Sequence, residues 1–200
     1  MKSTIKSVFL CSALAVLALP VVAQTAPVTG QTIQERKDNQ QDRIANGVKS
    51  GELTAGETSN LEKKESDINH EEKDMRQLDN GKLTATDKKT LTQQQNQVSK
   101  QIYQDKHNSA VESTHPRSEV NQREENQQQR IAQGIKSGQL TPGEASKLEN
   151  KESKINQEVR SDRAANGGKL TPQEKAKVNR QQNRASRQIY RDKHNGRVGK

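Results

Sequence analysis

Residues 50–57 read SGELTAGE, and the same order of glycine, leucine, threonine and an acid occurs three more times. The other three turn units are NGKLTATD at 80–87, SGQLTPGE at 137–144 and GGKLTPQE at 167–174. The glycine in each unit suits the left-handed residue that often follows the end of a helix. The threonine suits the N-cap of the next helix, and an acid three residues later can bond back to it. Each turn unit therefore predicts the end of one helix and the start of another.

The predicted helix caps pair each threonine with its acid: Thr54 with Glu57, Thr84 with Asp87, Thr141 with Glu144, and Thr171 with Glu174. Two of the threonines are followed by proline, at the first helical position, where proline is well tolerated. We predict helices near 36–49, 55–79, 85–106, 123–136, 142–166 and 172–194. No apolar alternation typical of strands competes with this interpretation.

The chain is a tandem duplication. Residues 36–108 (repeat 1) align without a gap on residues 123–195 (repeat 2), and 41 of the 73 aligned positions are identical. The predicted fold class is all-α, with two tandem three-helix units that have a thin core. The predicted organisation is a signal peptide at 1–23, a flexible lead-in at 24–35, repeat 1, a linker at 109–122, repeat 2 and a tail at 196–200.

Large apolar residues are scarce. After residue 23 the chain has 200 − 23 = 177 residues, of which Leu, Ile and Val supply 8 each, or 24 in total. That share, about 14%, lies below the ~20% under which chains tend toward disorder. The apolar positions step by seven and by three or four residues, which indicates narrow stripes of coiled-coil width. We expect Tyr103 and Tyr190 to cover the ends of these stripes.

Such a composition can hardly build the walls of a deep catalytic pocket. We therefore predict that the protein is not an enzyme, and we assign no catalytic residue, no cofactor-binding residue and no metal ligand. His107 and His194 close the two repeats, where a basic group suits the carboxyl end of a helix. Gln and Asn fill many of the remaining positions, and we expect them on the surface.

The first 23 residues have the layout of a secretory signal peptide. Lys2 and Lys6 precede an apolar run at 8–19, and small residues lead to Ala23, after which we predict cleavage. Cys11 lies inside this leader, so the predicted exported chain has no cysteine. We expect a periplasmic or secreted protein without disulfides and without a transmembrane segment after cleavage.

The turn units resemble the second half of a calcium-binding EF-hand loop, in which glycine is sixth, an aliphatic residue eighth and glutamate twelfth. Gly51, Leu53 and Glu57 take these places, but no turn unit has a carboxylate at loop positions 1, 3 or 5. The resemblance implies a degenerate calcium-binding protein as a second alternative function.

The Leu-Thr-x-x-acid pattern is also similar to the Leu-Thr-x-x-Gln signature of the CpxP/Spy family, although all four units here carry an acid instead of glutamine. Members of that family are small periplasmic helical proteins that act as envelope-stress chaperones or metal responders. This resemblance implies a stress-response or chaperone-like protein as the first alternative. The general pattern resembles uncharacterised bacterial exported proteins built from a duplicated helical module, to which we attach no activity.

Positive charge is concentrated in repeat 2. Repeat 1 has 13 basic and 13 acidic residues, whereas repeat 2 has 16 basic and 9 acidic residues. The excess lies on the last helix, where four arginines spaced by four, three and four residues share one face: Arg180, Arg184, Arg187 and Arg191. A basic helix face of this kind suits an anionic surface such as lipopolysaccharide or phospholipid headgroups.

Together these features predict a non-enzymatic exported binding or structural protein of the bacterial envelope, with this arginine stripe as its contact with anionic surfaces. Unfolded protein is the alternative partner. Self-association is expected because the core is thin. Specific binding to nucleic acid is not expected, since aromatic stacking platforms and known motifs are missing from the sequence.

Overall fold

The computed structural model describes residues 31–110 and 118–199. The predicted signal peptide, most of the lead-in, residues 111–117 of the linker and Lys200 lie outside the described residues. The described chain forms six α-helices and no strand. They are α1 (Ile33–Ser50), α2 (Ala55–Leu78), α3 (Ala85–Lys106), α4 (Glu119–Ser137), α5 (Pro142–Ala165) and α6 (Pro172–Lys193). The predicted all-α fold class is confirmed.

The turn units act as helix stops and starts. The residues after α1 and α4, Gly51 and Gly138, adopt left-handed conformations with φ of 75° and 73°. Each of the four threonines accepts a hydrogen bond from the backbone N–H of its acid, and each acid accepts one from the backbone N–H of its threonine. The aspartate in the second unit makes the same pair of bonds as the three glutamates. These reciprocal bonds satisfy backbone donors that a helix start leaves free.

Two helices begin earlier than the sequence pattern predicts. Helix α1 starts at Ile33, because Thr32 and Glu35 form a further capping box ahead of repeat 1. Helix α4 starts at Glu119, capped by the side chain of Ser118, which accepts from the N–H of Asn121. Neither start is preceded by the glycine and leucine of a turn unit, so the pattern that marks the other helices is missing there.

The six helices form layers. Helices α1 and α2 of repeat 1 face α4 and α5 of repeat 2, with α1 packed on α4 and α2 packed on α5. Helix α3 packs across α1 and α2, and α6 packs in the same way across α4 and α5. The last helix of each repeat is therefore on the outside, and the first two helices of each repeat form the centre.

The two repeats meet through matching residues. The hydroxyl of Ser59 donates to the backbone oxygen of Ser146 at 2.9 Å, and the hydroxyl of Ser146 donates to the backbone oxygen of Ser59 at 2.8 Å. Ser146 is the repeat 2 counterpart of Ser59, since the two positions differ by the repeat offset of 87. The interface is thus self-complementary, as at a two-fold axis that relates identical surfaces.

One hydrophobic core spans both repeats. Ile44 and Leu61 of repeat 1 are fully buried in the same cluster as Ile131 and Leu148 of repeat 2. A smaller cluster lies at the far end of repeat 2, formed by Val120, Ile155, Val159, Val178 and Ala185. The three-helix units predicted from the sequence therefore share much of their burial with each other.

Buried glutamines join the outer helices to the centre. The side-chain amide of Gln40 on α1 donates to the backbone oxygen of Gln95 on α3 at 2.6 Å and to the Ser99 hydroxyl at 3.0 Å. In repeat 2, Gln127 makes the same bonds to α6. Our expectation that glutamine serves the surface is wrong at these positions. A long amide side chain can enter the core when its donor finds a partner, since buried polar groups need hydrogen bonds.

Candidate functional site

The four arginines of the predicted stripe are all exposed on the outer face of α6. The opposite face of the helix packs against repeat 2 through Val178, Gln182, Ala185 and Ile189. The structure therefore brings the arginines to one solvent-facing surface, at the outer edge of the layered fold. None of the ion pairs among the described residues involves any of the four.

Two lysines near the start of α6 form ion pairs within the protein. Lys175 at the start of the helix lies 2.9 Å from a carboxylate oxygen of Glu119, and Lys177 lies 2.8 Å from one of Glu158. The hydrogen bond and charge of Glu158 raise the pKa of Lys177. The lysines at the amino end of α6 thus have anionic partners within the protein, whereas the arginines farther along the helix present their charge to the solvent.

Three arginines of the stripe also line a shallow groove of about 660 Å³, which we call the basic groove. Its walls include Arg184, Arg187 and Arg191 together with Lys151 on α5 and the ring of Tyr190. Arg180 lies outside the groove, nearer the start of α6. Lys151, which the spacing of the arginines does not point to, donates to the side-chain oxygen of Gln188 on α6. Its place in the groove follows from the packing of α5 on α6, which helix periodicity alone does not give.

Repeat 1 carries the same helix without this charge. The positions that match the arginine stripe are Gln93, Gln97, Lys100 and Gln104 on α3. Helix α3 packs in repeat 1 as α6 packs in repeat 2. The backbone arrangement alone therefore does not make a basic surface; the substitutions in the second copy do. The two outer helices form a natural matched pair for testing what the arginines contribute.

The tyrosines do not cover the apolar stripes as expected. Tyr190 is 61% exposed and Tyr103 is 41% exposed. Each ring instead stacks on the histidine that ends its helix, with ring centroids 4.3 Å apart for Tyr190 and His194 and 4.2 Å apart for Tyr103 and His107. The histidine Nδ1 lies 2.7 Å from the tyrosine backbone oxygen in both repeats. Since only a protonated nitrogen can donate to this carbonyl, the bond places a proton on Nδ1.

The acids of the first and third turn units hold those turns to the end of the outer helix. One oxygen of Glu57 accepts from the backbone N–H of Thr54 at 2.9 Å, and the other accepts from the amide of Asn108 at 2.7 Å. Glu144 makes the same two bonds, to Thr141 at 3.1 Å and to Asn195 at 2.8 Å. Both oxygens that an EF-hand would offer to calcium at loop position 12 are thus engaged in capping and tethering.

Four glutamates that were not singled out from the sequence are buried on the central helices. Glu62 and Glu65 on α2, and their counterparts Glu149 and Glu152 on α5, are no more than 1% exposed. We call these four residues the central carboxyls. The signal available in the sequence was that both copies keep glutamate at these two positions, three residues apart and so on one helix face. The narrow apolar stripe of α2 gives no indication that glutamates beside it are buried.

Burial changes the acidity of the pair on α2. Burial raises the pKa of Glu62 well above its usual range; the neighbouring Glu65 raises it further, and a hydrogen bond from Gln41 opposes the rise. Burial raises the pKa of Glu65 to about 7, although the charge of Lys37 acts in the opposite direction. Desolvation disfavours the charged form of a carboxyl, so both residues bind a proton more readily than an exposed glutamate does.

In residues 31–110 and 118–199, no group of three or more histidine, cysteine, aspartate or glutamate side chains is arranged to hold a metal ion. None of the six described helices combines the length and the apolar character that crossing a membrane requires. Comparison with protein-family models, with curated proteins and with solved structures finds no match for this chain.

Proposed function

We propose that the protein is a non-enzymatic helical binding protein of the bacterial envelope, periplasmic or secreted, that attaches to anionic surfaces through the arginine stripe of α6. The observation that carries this proposal is that four arginines are exposed on one face of α6 and that none of them has an anionic partner within residues 31–110 and 118–199. Three of them also share the basic groove with Lys151. Guanidinium groups bind phosphate oxygens through paired N–H donors, so phosphate-bearing headgroups suit this surface.

Binding of this kind is peripheral. A surface-seated helix that enters lipid usually carries Trp, Phe or Leu on its apolar face. The buried face of α6 is occupied in packing, and its exposed residues are mostly charged or polar, with Tyr190 as the aromatic exception. Each basic residue near an anionic membrane contributes about 1 kcal/mol. Attachment through α6 should therefore depend on charge and weaken as added salt screens it.

The test compares binding to vesicles containing phosphatidylglycerol, and to lipopolysaccharide, before and after four substitutions: Arg180→Gln, Arg184→Gln, Arg187→Gln and Arg191→Gln. Removal of about 1 kcal/mol for each of four charges should weaken vesicle binding by up to about a thousandfold at low salt. Equal binding by the wild type and the variant contradicts the proposal.

A matched control removes the same charge from repeat 1 through four exposed lysines: Lys73→Gln, Lys82→Gln, Lys88→Gln and Lys89→Gln. This control should bind much more tightly than the arginine variant. A second control transfers the stripe to α3 with Gln93→Arg, Gln97→Arg, Lys100→Arg and Gln104→Arg, and it should strengthen binding. If both charge-removal variants lose binding equally, the net charge and not the stripe determines attachment.

The chaperone-like alternative is also open to experiment. In the described residues the exposed large apolar side chains are Leu78, Tyr103, Tyr190 and Val198. They are scattered along the chain, whereas capture of an unfolded protein needs a continuous apolar surface. The lack of a continuous apolar surface in the described residues therefore favours the anionic-surface function over the chaperone-like one. Suppression of the aggregation of an unfolded client at near-equal molar ratio would favour the alternative.

A further inference from the structure

The contacts between the helices of the two repeats follow one symmetric pattern. Among the described residues, α1 of repeat 1 packs on α4 of repeat 2 and α2 packs on α5, and no other pair of helices crosses from one repeat to the other. Helices α1 and α4 occupy matching places in the two repeats, and so do α2 and α5. The face that repeat 1 presents to repeat 2 is therefore the same face that repeat 2 presents in return.

The glycines of α2 and α5 contact matching serines across this interface. A Cβ on Gly56 of α2 would lie 3.4 Å from the hydroxyl of Ser153 on α5, and a Cβ on Gly143 of α5 would lie 3.1 Å from the hydroxyl of Ser66 on α2. The two contacts use the same pair of positions, since Gly143 is the counterpart of Gly56 and Ser153 that of Ser66. Together with the reciprocal hydrogen bonds between the two interface serines, they show that α2 and α5 run antiparallel about an approximate two-fold axis.

Both repeats carry the residues that this contact needs. Gly56, Ser59 and Ser66 are identical to their counterparts in repeat 2, and so are Ile44 and Leu61, which are buried in the shared core. These residues cannot distinguish repeat 2 of the same chain from repeat 2 of another chain. A second copy of the protein therefore offers each repeat the same partner surface as its own chain does.

Charge favours the pairing of unlike repeats over that of like repeats. Repeat 2 has 16 basic and 9 acidic residues, whereas repeat 1 has 13 of each. A pair made of two copies of repeat 2 would bring together two units with the same excess of positive charge, and such units repel each other. The pairing of repeat 1 with repeat 2 avoids this repulsion.

We propose that two copies of the chain exchange repeats: repeat 1 of each chain pairs with repeat 2 of the other through the α1/α4 and α2/α5 contacts. The exchanged dimer contains two such pairs, as two separate chains do, so no contact between repeats is lost. Exchange of an identical element between chains is a low-cost route to a dimer for this reason. The dimer carries two arginine stripes, one on each α6.

The length of the connection between the repeats is compatible with exchange. Residues 107–118 join the end of α3 to the start of α4. An extended chain advances about 3.3–3.6 Å for each residue, so a segment of this length can span about 40 Å. This is longer than α2, whose 24 residues extend about 36 Å. The connection is therefore long enough to lead from a repeat in one pair to a repeat in another.

Concentration decides between the closed chain and the exchanged dimer. Two modules joined by a short linker meet at an effective concentration on the order of 1 mM, so the closed chain dominates far below that value. While it dominates, the ratio of dimer to closed chain rises in proportion to the protein concentration, by mass action. We expect exchanged dimers to be rare at about 10 µM and common near about 1 mM.

Disulfide trapping tests which repeats pair. The predicted exported chain, residues 24–200, has no cysteine, and the hydroxyl oxygens of Ser59 and Ser146 lie 3.3 Å apart. Cysteines at these two positions should form a disulfide wherever repeat 1 pairs with repeat 2. A Ser59→Cys chain and a Ser146→Cys chain are mixed in urea, refolded together at about 1 mM and oxidised. Covalent dimers should form, and refolding at about 10 µM should lower their ratio to monomer by more than about tenfold.

Each single variant alone is a matched control. In an exchanged dimer of Ser59→Cys chains every new cysteine faces Ser146, and in one of Ser146→Cys chains it faces Ser59, so neither can form a disulfide. A mixture of Ser146→Cys with Gln97→Cys, at an exposed position of α3, measures chance collisions. If the mixture of the two interface variants yields no more covalent dimer than these controls, the proposal is wrong. A yield from Ser59→Cys alone that equals the yield of the mixture would show like repeats pairing, and would also overturn it.

The double variant Ser59→Cys/Ser146→Cys shows whether cysteines fit at the contact. Oxidation at about 10 µM should link the two repeats within one chain. The linked chain should stay monomeric when it is unfolded in urea and refolded at about 1 mM, and reduction should restore dimer formation. Absence of the internal disulfide would remove the contact on which the exchange rests. Dimers that form equally in the linked and the reduced chain would place the association elsewhere and refute the proposal.

Discussion

Gly47 shows how one missing side chain fixes the end of a helix. A Cβ at this position in α1 would lie 2.7 Å from both Cγ and Cδ1 of Leu53, which is buried under the helix. The backbone N–H of Leu53 also donates to the backbone oxygen of Gly47 at 3.1 Å. Repeat 2 has the same arrangement at Gly134 and Leu140. The turn can fold back this closely because glycine leaves room for leucine.

We expect Gly47→Ala and Gly134→Ala each to lower the free energy of unfolding by about 1–3 kcal/mol, since an added methyl group in a filled core forces its neighbours to shift. At an exposed position inside a helix, the same change from glycine to alanine would raise the free energy of unfolding by about 1 kcal/mol. Urea denaturation followed by circular dichroism measures the difference through the midpoint. Gly56→Ala is the control, because its Cβ would make an ordinary contact of 3.4 Å with the Ser153 hydroxyl. Equal midpoints for Gly47→Ala and Gly56→Ala would show that Leu53 moves aside freely.

The glutamates on α2 show where inference from single residues fails. Glu57 and Glu62 are the same amino acid five positions apart, yet one caps a helix and the other is fully buried. The first role depends on a threonine three residues earlier, which is visible in the sequence. The second depends on how α2 packs against other helices, including the bond that Glu62 accepts from Gln41 of α1. Local capping is therefore predictable from the sequence, whereas burial that depends on the packing of distant segments is not.

At the scale of helices and turns, the capping boxes set where the chain changes direction. Thr54→Ala and Thr141→Ala should each lower the free energy of unfolding by about 1 kcal/mol, because the side chain that accepts the first free backbone N–H is lost. Thr54→Ser and Thr141→Ser keep that acceptor and should retain most of the stability. Thermal melts of the four single variants compare their stabilities through the melting temperature. Serine variants as unstable as the alanine variants would assign the loss to the threonine methyl group instead.

The turn units made most helix boundaries predictable from the sequence. Helices α2 and α3 start at Ala55 and Ala85, the positions predicted. The starts of α1 and α4 were missed, because Thr32 and Ser118 cap them without a preceding glycine turn. The arginine stripe was predictable as a helix face, since its spacing needs no knowledge of packing. The basic groove was not, because Lys151 reaches it from α5.

At the scale of the whole molecule, the duplication gives each repeat a second surface against which it can bury its apolar side chains. A three-helix unit with so few large apolar residues buries little surface of its own, and small units are only marginally stable for that reason. Packing α1 on α4 and α2 on α5 extends the core across both units. The sequence shows the duplication and the scarcity of apolar residues. The close packing of α2 on α5 depends on small residues such as Gly56 and Ser59. Nothing in the sequence alone indicates that these residues lie in an interface.

We therefore expect an isolated repeat to form a dimer with a second copy of itself. Gly56, Ser59, Glu62 and Ser66 are identical to their counterparts in repeat 2, so two copies of a fragment spanning 31–110 can reproduce the α2/α5 contact. We expect this fragment to sediment as a dimer at pH 5.5 and to melt at a temperature that rises with its concentration, since association stabilises the folded form by mass action. Ser59→Arg should block the contact and leave a less helical monomer. A fragment that stays monomeric and melts at the temperature of the full chain would mean that each repeat folds without the shared core.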